Sequence, residues 1–127
     1  MKFESTHVSG KGRGKPMGFP TINLKIPDNF ELKDGVYAAK ITIEKKTFTG
    51  ALHYGPIPTF SEKEKSLEVY LIGVSNENLI GYGLENFDGK TIKVEIVKYL
   101  REIKRFRLVE ELVRQIEEDV RQIKELT

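Results

Sequence analysis

The spacing of apolar residues changes near position 100, and this change is the strongest constraint on how the chain can fold. From residue 91 to residue 100, polar and apolar residues alternate, which predicts a strand with one buried side. Beyond position 107 the apolar residues recur at helical spacing, at Leu108, Leu112, Val113, Ile116, Val120, Ile123 and Leu126. The chain is therefore predicted to end in one amphipathic helix that follows a strand.

Three further segments are typical of β-strands. Residues 35–44, 47–54 and 66–72 are rich in β-branched and aromatic residues. Lys45 and Lys46 predict a tight turn between the first two of these segments. A sheet of short antiparallel strands needs a cover for its open end or edge, and the C-terminal helix can provide one. We expect a mainly β fold, a small barrel or strongly curled sheet with this helix packed on it.

Length and composition exclude several classes of protein. The 127 residues suffice for a single domain, residues 1–127, with one hydrophobic core. A net charge of +2 argues against a dedicated nucleic-acid binder, and the lack of cysteine excludes disulfides and cysteine-based zinc sites. No apolar run approaches the roughly 20 residues of a membrane span, and no signal peptide is visible. We expect a cytoplasmic monomer with neither membrane nor nucleic-acid partners.

A basic, glycine-rich segment is the clearest candidate for a ligand site. Glycine amides can approach an anion closely while cations neutralise it, so phosphate is the expected ligand. The residues concerned are Gly10, Lys11, Gly12, Arg13, Gly14, Lys15 and Met17. Alone, such a segment is more often a solvated loop. The extended segment that follows places Thr21 and Asn23 on one side, and two neutral oxygen ligands beside phosphates suit Mg²⁺.

Glu68 is the acidic residue of most interest, because it lies in a predicted strand among apolar neighbours. A carboxylate there either faces solvent, which the pattern alone favours, or accepts a proton from a substrate hydroxyl. His7 and His53 show no metal-ligand spacing, so we interpret both as ordinary, partly buried histidines. The residues also contain no P-loop, dinucleotide fingerprint or serine-hydrolase signature.

Taken in order, the sequence blocks resemble the ATP-dependent riboflavin kinases, which occur alone or as the C-terminal module of bifunctional bacterial FAD synthetases. The most specific block is Pro20-Thr21-Ile22-Asn23. The resemblance begins at Gly10 and continues through residues 35–38, 55–60, 67–71, 100–106 and 110–119. It implies a six-stranded antiparallel Greek-key β-barrel with a C-terminal α-helix. The implied reaction is the Mg²⁺-dependent transfer of the ATP γ-phosphoryl group to the ribityl 5′-hydroxyl of riboflavin, which gives FMN and ADP.

The resemblance also implies a role for individual residues. Thr21 and Asn23 would contact Mg²⁺ and the nucleotide phosphates, with the loop 10–17 folded over those phosphates. Glu68 would take up the proton of the 5′-hydroxyl. The residues beside the flavin would be Arg101, Arg105, Phe106 and Leu112.

The chain departs from the family pattern at several places. Tyr70 stands where the family usually has histidine, and Gly73-Val74 stands where it has an aspartate–aromatic pair. The connection from residue 73 to 89 is longer than usual and is predicted to be a flexible loop or hairpin. Arg107-Leu108-Val109 replaces the usual Asp-Ser type of helix start, which removes an N-cap. Two alternatives therefore stay open: a non-catalytic flavin- or nucleotide-binding regulatory module, and a small-barrel nucleic-acid binder. The nucleotide could also be CTP rather than ATP.

Overall fold

A computed structural model of the chain describes residues 1–8, 21–56, 64–81 and 89–126. Within these ranges the chain forms six strands and two helices. In chain order they are β1 (Lys2–Thr6), β2 (Thr21–Leu24), β3 (Gly35–Ile43), β4 (Lys46–Gly55), β5 (Ser66–Ile72), α1 (Asn76–Gly81), β6 (Thr91–Arg101) and α2 (Val109–Glu125).

The strands form one antiparallel sheet in the order β1-β6-β3-β4-β5-β2. Because β2 lies beside β5 and β6 lies beside β3, the central three-stranded meander is extended on both sides in Greek-key fashion. The outer strands meet through a bridge between His7 and Leu24. Backbone hydrogen bonds from Val8 N to Asn23 O (2.8 Å) and from Lys25 N to Thr6 O (2.9 Å) flank that bridge. The predicted six-stranded Greek-key barrel with a C-terminal helix is confirmed.

Strand alternation divides the side chains between two apolar layers. One layer fills the barrel and includes Ile22, Leu24, Ile41, Ile43, Leu52, Leu67, Val69, Ile92 and Val94. The second layer lies on the outer face, where Ala38, Ala51, Tyr70 and Ile72 pack against Leu112, Ile116 and Ile123 of α2. As a result, β5 is buried on both of its faces from Leu67 to Ile72.

The connection after β5 differs from the sequence prediction. Residues 76–81 form α1 rather than a flexible loop. The Asn78 amide N–H donates to Ser75 Oγ (3.0 Å), and the Ser75 amide N–H donates to Asn78 Oδ1 (3.1 Å). This reciprocal capping satisfies two backbone donors at the helix start, and Leu79 is buried in the core. The prediction overlooked this local cap. Residues 82–88 lie outside the described part of the chain.

Two other local details bear on the sequence predictions. The β3–β4 turn is formed by Glu44 and Lys45, one residue earlier than predicted, and Glu44 adopts a left-handed φ of 57°. Leu108 occupies the N-cap of α2 and makes no side-chain capping hydrogen bond, as the sequence predicted. The start of α2 therefore depends on its packing against the barrel rather than on a capping side chain.

Gly50 provides a test of the packing inside the barrel. A Cβ added at this position would lie 2.7 Å from Val69 Cγ1 and 3.2 Å from Ile41 Cγ1. We expect Gly50→Ala to lower the free energy of unfolding by about 1–3 kcal/mol, because the core has no room for the methyl group. Gly81→Ala is the control, since nothing lies within 4 Å of its Cβ position. Equal thermal midpoints for the two variants would contradict this packing.

Candidate active site

Three polar side chains form a row across neighbouring strands on the outer face of the barrel. Glu68 of β5 lies directly opposite Asn23 of β2 on one side and His53 of β4 on the other. The residues that precede and follow each of them point into the core, so alternation places all three on the outer face. Opposed residues on one face hold their Cβ atoms about 4.5–5.5 Å apart. The fold thus brings together a carboxylate, a carboxamide and an imidazole that are distant in sequence.

Glu68 is buried, with 4% of its surface exposed. The interpretation that the pattern alone favoured, a solvent-facing carboxylate, is therefore wrong. The pattern could not show this, because every residue from Leu67 to Ile72 is buried, so the outer face of β5 is covered as well as its inner face. A buried carboxylate costs free energy unless it is paired or has a chemical use. Its burial makes Glu68 the leading candidate for a catalytic group.

Thr21 lies on the same face, two residues before Asn23 and directly opposite Tyr70. Its hydroxyl and the Asn23 carboxamide are hard, neutral oxygen donors of the kind that Mg²⁺ binds. In the described part of the chain, no group of three or more histidine, aspartate or glutamate side chains could hold a metal ion. A metal at this face would therefore take much of its coordination from water and substrate phosphates, which is typical of Mg²⁺. The donor set fits that ion.

A buried ion pair attaches α2 to the end of β6. Arg101 Nε donates to Asp119 Oδ1 (2.9 Å), and its Nη2 donates to Asp119 Oδ2 (2.8 Å). Gln115 Nε2 donates to the same Oδ1 (3.1 Å), and Arg101 Nη1 donates to the Glu102 carbonyl (3.0 Å). The two paired side chains are only 14% and 4% exposed. This bidentate geometry fixes the position of α2 against the barrel.

A β-bulge determines which face of the sheet the Arg101 side chain occupies. Tyr99 pairs with Tyr37 and Arg101 pairs with Val36, so Leu100 is an extra residue in β6. On a regular strand, Tyr99 and Arg101 would lie on the same face of the sheet. The extra residue places the Arg101 side chain on the opposite face from Tyr99. Tyr99 packs with the core, whereas Arg101 reaches the helix.

Beneath this region, two tyrosines occupy the end of the barrel. The Tyr37 and Tyr99 rings are 5.3 Å apart in an edge-to-face contact, and the Tyr37 hydroxyl donates to the Lys33 carbonyl. Burial, and then the neighbouring Tyr99 and Asp34, raise the pKa of Tyr37 above its usual range. The Tyr37 hydroxyl therefore keeps its proton, and its hydrogen bond, throughout the neutral range.

A protein-family model described as flavokinase, riboflavin kinase, matches residues 1–127. The chain belongs to the riboflavin kinase family. The resemblance that the sequence blocks indicated is thereby confirmed.

Curated relatives of this family member include longer proteins. It is 34% identical over 116 residues to the bifunctional riboflavin kinase/FMN adenylyltransferase of Bacillus subtilis, which covers 88% of this chain and 34% of that protein. It is 31% identical over 119 residues to the trifunctional protein RibF/MnmA of Mycoplasmoides gallisepticum, which covers 92% of this chain and 17% of that protein. The RNA-binding riboflavin kinase RibR of Bacillus subtilis is 32% identical over 115 residues, and the match covers 90% of this chain and 46% of that protein. The chain thus spans less than half the length of each.

A solved structure shares the fold. A crystal structure titled as a macrolide-efflux protein from Streptococcus pneumoniae superposes with a TM-score of 0.77 at 25% sequence identity. The match covers 97% of this chain and 38% of the other. Within the described ranges of the present chain, no helix has the length and apolar character needed to cross a bilayer.

The four residues predicted to bind flavin differ from one another in burial and in their contacts. Arg101 is engaged with Asp119, Phe106 is half-buried against the outer apolar layer, and Leu112 is buried within that layer. Arg105 is exposed. A flavin contact for these residues stays a prediction. The predicted phosphate-loop residues lie outside the described ranges; they are Gly10, Lys11, Gly12, Arg13, Gly14, Lys15 and Met17.

Sequence reasoning missed two residues of this region. His53 was interpreted as an isolated histidine, and its half-buried state is as expected, but the β4–β5 register places it opposite Glu68. The alternation of β4 could have shown which face it occupies, though not its partner. Asp119 lies on the apolar side of α2, and that break in the amphipathic pattern was the available signal.

Proposed function

We propose that this chain is a riboflavin kinase that transfers the γ-phosphoryl group of ATP to the ribityl 5′-hydroxyl of riboflavin, releasing FMN and ADP. The observation that carries the proposal is the buried Glu68 directly opposite Asn23, on the face that also bears Thr21. Family membership supplies the substrate class. We further propose that the reaction takes place in the cytoplasm.

For phosphoryl transfer, the protein mainly has to align the reacting groups and neutralise the phosphate charge. Phosphoryl transfer needs the attacking oxygen, phosphorus and leaving oxygen roughly in line, with a group that orients the nucleophile. In this proposal the Glu68 carboxylate accepts a hydrogen bond from the 5′-hydroxyl and takes up its proton as the bond to phosphorus forms. Removal of that proton by a positioned carboxylate is worth about 10²–10⁴-fold in rate.

Thr21 and Asn23 provide the nucleotide side of the proposed site. Their side-chain oxygens would hold Mg²⁺ and thereby position the terminal phosphates within reach of the hydroxyl that Glu68 orients. When bound, Mg²⁺ would neutralise negative charge on the β- and γ-phosphates. The basic residues of the loop 10–17 would neutralise the rest, and the residues 101–106 with Leu112 would flank the flavin.

The direct test is an assay for FMN by reverse-phase chromatography with fluorescence detection. The chain is incubated with riboflavin, Mg²⁺ and either ATP or CTP, and a parallel reaction contains EDTA. We expect FMN with ATP, much less with CTP, and none with EDTA. A folded chain that binds riboflavin but forms no FMN with either nucleotide would instead support the non-catalytic module. A relative named as an RNA-binding riboflavin kinase is the reason for testing this regulatory alternative, although its name also includes the kinase activity.

Thr21→Ala tests the nucleotide side of the site. Loss of one oxygen donor to a charged ligand costs about 1.5–3 kcal/mol, so we expect the Kd of the Mg²⁺–nucleotide to rise on the order of tenfold or more. Thr49→Ala is the matched control, because Thr49 is also half-buried on the outer face but lies opposite Ile72, in a different row. Isothermal titration calorimetry measures both. An unchanged Kd for Thr21→Ala would remove this residue from the nucleotide site.

A further inference from the structure

The first residues of β1 leave one edge of the sheet open. β1 and β2 are the two end strands of the sheet, and among the described residues they meet at the bridge between His7 and Leu24 and its two flanking hydrogen bonds. Lys2, Phe3 and Glu4 pair with β6 on one side, and no other described strand pairs with them on the other side. These three residues also form part of the lining of a surface groove of about 560 Å³, so this edge is accessible.

The hydrogen-bonding pattern of β1 shows which backbone groups this edge presents. In an antiparallel sheet, successive residues direct their N–H and C=O groups to opposite sides of the strand. The Met1 carbonyl accepts a hydrogen bond from β6 (2.9 Å), whereas the Thr6 carbonyl accepts one from Lys25, beside β2 (2.9 Å). Because Lys2 and Glu4 alternate in step with Thr6, their N–H and C=O groups point away from β6. Four backbone groups are therefore presented at the open edge.

The side chains along this edge alternate in charge. Lys2 and Glu4 lie on the outer face, because Phe3 between them packs with the core. The Lys2 side chain is 79% exposed and only 3.9 Å contact links it to Glu95, and Glu4 is exposed as well. Charged side chains usually prevent an edge strand from pairing with another chain. Here the order of the charges favours one specific pairing.

We propose that β1 is a dimerisation edge, which pairs antiparallel with β1 of a second copy of this chain. When the Phe3 residues of the two copies lie opposite each other on the two-fold axis, Lys2 of each copy lies opposite Glu4 of the other. The backbone groups that both copies present then form four hydrogen bonds, two for each Lys2–Glu4 pair. Phe3, half-buried in an edge-to-face contact with Phe30 (4.8 Å between ring centroids), meets its counterpart on the inner face.

Charge complementarity is the argument for a second copy as the partner. Within one copy, Lys2 lies opposite Glu95 and Glu4 lies opposite Lys93, with Lys40 on the far side of Glu95. Antiparallel pairing joins these two rows into one line of alternating charge that crosses both copies. A parallel, in-register pairing would instead place lysine opposite lysine and glutamate opposite glutamate, which is unfavourable. The antiparallel contact is isologous, so it closes as a dimer and does not extend into a fibre.

The first measurement is sedimentation velocity of the whole chain as a function of concentration. A single strand pair buries less surface than a standard interface of roughly 1,600 Å², so we expect a reversible dimer with a Kd on the order of 0.1–1 mM. At micromolar concentration the chain then remains largely the monomer that the sequence predicts. The dimer fraction should fall when NaCl is raised from about 0.05 to about 0.5 M, because the pairing charges are exposed to solvent.

Charge exchange at the edge tests which strand pairs and in which direction. Lys2→Glu and Glu4→Lys should each raise the Kd about tenfold, because both cross-copy pairs then oppose like charges. An equal mixture of the two variants should dimerise again, and so should the double variant, since opposite charges face each other in both. Lys98→Glu is the matched control: it changes the net charge equally at an exposed position of β6 that is opposite Ala38, and it should dimerise like wild type. Circular dichroism checks that each variant is folded.

Backbone amide NMR of the wild-type chain gives a readout that needs no variant. As concentration rises, the Lys2 and Glu4 amide resonances should shift, whereas those of Phe3 and Ser5, which face β6, should stay in place. A chain that stays monomeric up to about 1 mM would overturn the inference. A dimer that neither single variant weakens would also overturn it, because the contact would then lie on another surface.

Discussion

Glu68→Gln is expected to reduce kcat for FMN formation by about 10²–10⁴-fold while nucleotide and riboflavin binding change little. Glutamine has the size of glutamate and can hydrogen-bond to the 5′-hydroxyl, but it cannot take up the proton. The buried position of Glu68 makes the effect specific, because bulk water has little access to replace the lost base. Steady-state kinetics with calorimetric binding measurements separate the two effects.

A matched control for this prediction is Glu95→Gln on β6. Glu95 also lies on a strand, but its side chain is 43% exposed and pairs loosely with Lys2 at 3.9 Å. We expect wild-type kcat for that variant. If Glu68→Gln retained turnover within about twofold of wild type, Glu68 could not be the base.

Asp119→Ala is expected to cause the largest loss of stability, about 3–5 kcal/mol, with a fall in Tm of roughly 10 °C or more. The substitution leaves the Arg101 guanidinium, only 14% exposed, without its bidentate partner. An unpaired buried charge costs more than the pair itself contributes. Urea unfolding followed by circular dichroism measures the change.

Two further variants show whether the unpaired charge is the cause. Glu118→Gln, one position earlier on α2, removes an exposed partner of Arg121 and should change Tm very little. The double variant Arg101→Met with Asp119→Leu should recover most of the loss, because apolar side chains then fill the site. If the double variant were as unstable as Asp119→Ala, desolvation of Arg101 would not be the explanation.

The sequence predicted most of the fold, for a local physical reason. Alternation of polar and apolar residues in β6 and the helical spacing of α2 follow from backbone geometry alone, so each element could be recognised from its own segment. The errors lie in the connections that follow β3 and β5. The Ser75–Asn78 cap produced α1 inside a predicted loop, and the hairpin turn moved to Glu44 and Lys45.

The candidate site was predictable only in part. Thr21 and Asn23 could be placed on one side of an extended segment, since that relation depends only on a period of two. The burial of Glu68 could not be foreseen, because the cover over the outer face of β5 comes from residues outside that strand. The role of each residue toward nucleotide and flavin rests on the family and on the experiments proposed above.

By itself, the sequence determined the strand and helix periods, the family, and the placement of Thr21 and Asn23 on one face of the same strand. The tertiary structure alone decided that Asn23, Glu68 and His53 form one row, and that Arg101 meets Asp119. Periodicity is set by the stereochemistry of neighbouring residues. Strand register, the β-bulge at Leu100 and the cover over β5 depend instead on contacts between segments far apart in the chain, and no local pattern encodes those contacts.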